Sequence, residues 1–95
     1  MIRKEDLNKK KVNDIEARRR RIFNRYIKFH HHWFQHKIIK AYKEGRRRCK
    51  LEIECDHWYE DYFHEYFSDW GYDVSSNYFY TTNTLDLYVY IREDD

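Results

Sequence analysis

Proline is absent from this chain, and glycine occurs only twice, at Gly45 and Gly71. Those two residue types are the strongest local interrupters of regular structure, so the sequence permits a few long elements with stops at fixed places. From about Val12 to Glu44 the pattern is helical and unbroken, and Gly45 stands where such a helix must end. Asn13 or Asp14 can cap its start. At about 1.5 Å per residue this helix is roughly 50 Å long, more than a small domain can cover, so its first turns project from the body. The polar, basic stretch 1–11 ahead of it reads as a flexible N-terminus, and residues 12–95 as one domain.

Steps of about 100° per residue sort the long helix into two sides. Ile22, Phe23, Tyr26, Ile27, Phe29, His30, Trp33, Phe34, Ile38 and Ala41 share an arc roughly 200° wide. Arg18, Arg21, Arg25, Lys28, His32, Gln35, His36 and Lys43 share the opposite stripe. Covering one sheet face takes an apolar stripe of only about 100°. The surplus predicts that the helix meets two apolar surfaces, such as a sheet and a second helix or a partner chain.

Beyond Gly45, "RRRCKLEIEC" alternates: Cys49, Leu51, Ile53 and Cys55 point one way, Arg48, Lys50, Glu52 and Glu54 the other. That is a half-buried strand. Asp56 can cap a second helix running to Trp70 and stopped by Gly71. Trp58, Tyr59, Tyr62, Phe63, Tyr66, Phe67 and Trp70 form its apolar arc, with Glu60, Asp61, His64 and Glu65 on the other side. "YDVSSNYFY" and "LDLYVYI" then read as two strands of a hairpin joined near Thr81–Thr84. In the last strand Leu85, Leu87, Val89 and Ile91 line the core, while Asp86, Tyr88, Tyr90 and Arg92 face out. The order helix, strand, helix, strand, strand predicts an α+β fold. A right-handed crossover with the last strand inserted antiparallel gives a three-stranded sheet of order 1-3-2, with both helices on one face.

The run "KIIKAYKEGRRRCKLEIE", then "YFSDWGYDV", then "LDLYVYI" resembles a layout found in small accessory proteins of tailed phages and large DNA viruses. It spans roughly residues 37–92 and excludes the basic part of the first helix. The resemblance implies a small viral accessory protein and carries no active residues with it.

Charge divides as sharply as structure. Residues 1–50 hold 18 Lys and Arg against 5 Asp and Glu, a net +13, while residues 51–95 hold 1 against 12, a net −11. Such a split predicts a polyanion partner for one half and an electrostatic partner, including a second copy, for the other. One fifth of the residues are aromatic, which supports a substantial core in a chain of 95 and argues against disorder. No apolar run reaches the roughly 18 residues that span a bilayer, and "MIRKEDLNKKKVND" has no signal-peptide core. Cys49 and Cys55 stand about 20 Å apart along one strand, so reduced thiols and an intracellular setting are expected.

Catalytic patterns are missing. His32 and His36 share a face at i, i+4, yet "HWFQH" lacks the glutamate of a zinc-protease helix, so they read as surface histidines, and His30 as packed and hydrogen-bonded. Cys49 and Cys55 point into the core; Ser68, Ser75 and Ser76 have no glycine-rich elbow. The expectation is therefore no enzyme, no cofactor, no metal, no membrane and no small-molecule substrate. Instead, Arg18, Arg19, Arg20, Arg21, Arg25 and Lys28, with Arg46, Arg47 and Arg48 after the helix, suit phosphate-backbone contacts to nucleic acid or another polyanion. Tyr88, Tyr90, Glu52, Glu54 and Asp86 form an acidic, aromatic surface suited to protein or to self-association. The alternative is a pure protein-interaction role, as an inhibitor of a host defence or nucleic-acid-binding factor or as an assembly component of a larger particle.

Overall fold

A computed structural model describes the backbone of residues 4–91 and the side chains of residues 14–91. The chain runs α1 (Lys4–Lys43), β1 (Arg48–Glu54), α2 (Tyr59–Asp69), β2 (Asp73–Phe79) and β3 (Thr84–Tyr90). β3 lies between the other two strands and is antiparallel to both, giving the order β1-β3-β2. The α+β class, the strand order and the placement of both helices on one face are as the sequence predicts. The outward position expected for Arg92, and the first three residues of the stretch 1–11 expected to be flexible, lie outside the described residues. From Lys4 onward the backbone is helical, so neither Asn13 nor Asp14 is a cap. The segment before Val12 holds no breaker and several good helix formers, and nothing in it stops the helix earlier.

Both helices end through the same device. Gly45 has φ +75°, the Arg46 N–H donates to the Ala41 carbonyl at 3.0 Å, and the Gly45 N–H to the Tyr42 carbonyl at 3.1 Å. Gly71 has φ +88°, with Tyr72 N–H on the Phe67 carbonyl at 3.0 Å and Gly71 N–H on the Ser68 carbonyl at 2.9 Å. These are Schellman stops, in which a left-handed residue lets the chain reverse and satisfies the last carbonyls. The start of α2 is less regular. Asp56 does not cap it; the helix begins three residues later, with Trp58 at the cap position and no side-chain cap bond. Turn bonds from Tyr59 N–H to the Asp56 carbonyl and from Glu60 N–H to the His57 carbonyl take over that task, and Glu60 and Asp61 place negative charge at the first turn.

The core lies between the helices and the sheet. Leu51 and Ile53 of β1 and Leu85, Leu87 and Val89 of β3 are almost fully buried, each facing its cross-strand partner. Phe23, Phe34 and Ala41 reach the core from α1, Phe63 and Phe67 from α2. Phe63 is met edge-on by Phe23 at 5.0 Å, Tyr26 at 5.8 Å and Phe34 at 6.2 Å between ring centroids. Each such pair adds about 0.5–1.5 kcal/mol beyond the area it buries. α1 therefore uses only part of its wide apolar arc: Ile22 and Phe29 remain outside the core.

Gly45→Ala and Gly71→Ala should each lower the unfolding free energy by about 1–2 kcal/mol, from backbone conformation alone, because a Cβ at either site meets nothing within 4 Å. Phe63→Ala should cost about 3–5 kcal/mol. Urea unfolding followed by circular dichroism measures all three.

Candidate nucleic-acid and protein interfaces

On a helix, neighbouring residues point about 100° apart, and the run of four arginines divides accordingly. Arg18 and Arg21 are exposed and continue through Arg25 and Lys28 on the side of α1 opposite Phe23, Phe34 and Ala41. Arg19 and Arg20 turn toward α2 instead. The Arg19 guanidinium lies 4.3 Å from the Trp58 ring centroid, and that of Arg20 lies 4.6 Å from Tyr62. Arg20 Nη2 also donates to Glu65 Oε2 at 3.3 Å. An exposed ion pair contributes little, but the two cation–π contacts tie the basic helix to the acidic one. Arg19 and Arg20, expected among the phosphate contacts, are thus already engaged within the fold.

The second basic cluster is engaged as well. Arg46 Nε is 3.0 Å from Glu44 Oε2, and Arg48 lies 4.6 Å over the Tyr88 ring. Arg47 is exposed, and its carbonyl accepts the Ile91 N–H at 2.9 Å.

The five residues expected to meet protein do share one surface, the sheet face turned away from the helices. Cross-strand register sets Lys50 opposite Tyr88, Glu52 opposite Asp86, and Arg48 opposite Tyr90. Their charges are largely matched in place. Lys50 Nζ sits 3.3 Å from Glu52 Oε1 and 3.7 Å from Asp86 Oδ2, and these two carboxylates, Glu52 first, hold its ammonium pKa above the usual value. Tyr90 OH is 3.0 Å from Ser75 Oγ. Glu54 is exposed at the end of β1. The face is a mosaic of paired charges and rings rather than an acidic sheet.

One constellation escaped the sequence reading. Glu60 and His64, assigned to the outward side of α2, turn toward β2 and are half-buried. The Ser76 hydroxyl donates to Glu60 Oε2 at 2.5 Å, and His64 Nε2 is 2.7 Å from Ser76 Oγ. The trio joins α2 to β2 as a clasp centred on the Ser76 hydroxyl. Its signal was present: Glu60 and His64 at i, i+4, and Ser76 at an inward position of an alternating strand.

Cys49 is 4% exposed and Cys55 half-buried; both thiols are free. Burial pushes both pKa values up, that of Cys55 to about 11 with Asp56 and Glu60 adding to the effect. Neither supplies a thiolate near neutral pH. His30 stacks on Tyr26 at 4.0 Å, and its Nδ1 lies 2.9 Å from the Tyr26 carbonyl. His32 and His36 are exposed, and no group of three or more metal-type ligands converges among the described residues. Nor is any helix among them long and apolar enough to cross a membrane.

No family model matches the chain, and neither the curated proteins nor the solved structures contain a significant match to it.

The folded chain holds the protons of Cys49, Cys55 and Tyr26 more tightly than the unfolded chain does, since burial raises all three. Stability should therefore be full below the ordinary thiol value of 9.0 and fall as the pH rises through it toward about 11. Urea midpoints between pH 7 and 10.5 test this, and a flat profile would contradict it. Ser76→Ala, which strands Glu60 and His64, should cost about 1–3 kcal/mol.

Proposed function

We propose that this is a non-enzymatic binding protein whose long helix contacts the phosphates of nucleic acid, or another polyanion, and whose acidic, aromatic remainder contacts protein. One observation carries the reading. Arg18, Arg21, Arg25 and Lys28 are exposed on one side of α1 and have no ion-pair partner among the described residues. They follow one another over about 15 Å of helix. Like charges at i, i+3 and i, i+4 cost helix stability, about 0.2–0.5 kcal/mol for each pair. A stripe that weakens its own helix is accounted for by a partner that neutralises it. The contacts proposed are to backbone phosphates, which carry no base choice.

The reading extends to a viral accessory protein acting inside a cell. Its support is the element order, helix-strand-helix-strand-strand, shared with the small phage and large-virus proteins that residues 37–92 resemble. A pure protein-interaction role is the second reading, favoured by apolar side chains that α1 leaves in solvent.

If the four cations each neutralise one phosphate of duplex DNA, log K should fall against log salt with a slope of about −3.6. Replacing Arg21 and Arg25 with Ala should bring the slope to about −1.8, while Arg19→Ala should leave it unchanged. Fluorescence anisotropy with a labelled 20-base-pair duplex across about 50–300 mM NaCl reads both values. No binding at the lowest salt, or a slope near zero, would overturn the reading.

A further inference from the structure

Of the large apolar side chains that α1 leaves in solvent, four lie along one side: Ile15 is 41% exposed, Ile22 50%, Phe29 68% and Trp33 37%. The first three are seven residues apart and Trp33 is four further on. A seven-residue step turns the helix by only about 20°, so the four side chains form one nearly straight seam about 27 Å long. The seam lies roughly 100° around α1 from the buried Phe23, Phe34 and Ala41. It is separate from the core side and from the Arg21–Lys28 stripe.

A narrow apolar line with a seven-residue repeat is the shape that another helix covers. A helix lying on a lipid surface presents a broader apolar side. Arg18 and Arg25 border this seam on one side, Arg19 and Lys37 on the other, and Lys40 continues it. From Ala17 to Lys43 there is no Asp or Glu at all. Two copies of α1 laid along their seams would set cation against cation in either direction. The chain's own acidic helix is no substitute, because Phe63 and Phe67 commit the apolar side of α2 to the core.

We infer that the Ile15–Ile22–Phe29–Trp33 seam docks an acidic amphipathic helix of a partner protein, with apolar residues on the seam and carboxylates toward Arg18 and Arg25. Phe29, the most exposed of the four, is the central anchor. The seam is distinct from the phosphate-contacting stripe, although Arg18 and Arg25 belong to the stripe and border the seam. An acidic helix and a nucleic acid would therefore compete for this protein.

The test uses the full chain and a synthetic 28-residue helical peptide with Leu at the first and fourth positions of a seven-residue repeat, Glu beside them and Ala and Gln elsewhere, beside a control peptide of equal charge with Ser replacing Leu. Calorimetry at about 150 mM salt, where surface charge is well screened, should show the Leu peptide binding and the Ser peptide at least roughly tenfold weaker. Ile22→Ser and Phe29→Ser, both at exposed positions, should weaken the Leu peptide by roughly tenfold or more while leaving duplex DNA affinity unchanged. Equal binding of the two peptides, or no binding of either, would overturn the inference. So would a dimer of the wild-type chain in sedimentation that the same substitutions dissolve, or binding of anionic vesicles in place of the peptide. A salt slope near zero with DNA would remove the phosphate reading and leave this one standing.

Discussion

Phe63 holds the two halves of the molecule together. Its ring receives Phe23, Tyr26 and Phe34 edge-on, and it lies beneath α1 and above the sheet. Edge-to-face contact directs the positive rim of one ring at the negative face of another, so the cluster fixes orientation as well as burying area. The positions of α1 over α2, and of both over β1 and β3, follow from that single packing centre. So does the outward direction of everything else on α1, since a helix pinned at Phe23, Phe34 and Ala41 can present only its remaining sides to solvent.

Charge is distributed differently from hydrophobicity. The fold spends two cations, Arg19 and Arg20, on the rings of Trp58 and Tyr62, and these bridge the basic and acidic halves. The sheet neutralises its own charges laterally, with Lys50 between Glu52 and Asp86. The four stripe cations, Arg18, Arg21, Arg25 and Lys28, have no ion-pair partner among the described residues.

The architecture was legible because its signals were local. Strict alternation in "CKLEIEC" and "LDLYVYI" assigns faces residue by residue, and Gly45 and Gly71 mark the two helix ends with the one residue type that adopts positive φ without cost. The start of α2 was not legible. Asp56 has the right chemistry for a cap, but turn bonds and the packing of Trp58 against Arg19 decide where the helix begins. Likewise, spacing separates a stripe from an apolar arc but cannot show that Trp58 and Tyr62 lie within reach of Arg19 and Arg20. The Glu60–Ser76–His64 clasp joins residues up to 16 positions apart on two elements; the spacing within each element is visible in the sequence, but not that the two meet. The surplus of the apolar arc was visible from the start; which residues made up the surplus was not, until the core claimed its share.

The strand order has a further consequence, for synthesis. β1 and β2 are not neighbours, and β3 is the only strand either of them pairs with. A ribosome delivers β3 after both, so the first two strands leave the exit tunnel with no ladder to join and no sheet for α1 or α2 to lie upon. Sheet formation therefore waits for the last strand, which pairs with both of the others. Until it arrives, Leu51 and Ile53 of β1 lack the cross-strand partners, Leu87 and Leu85, that cover them.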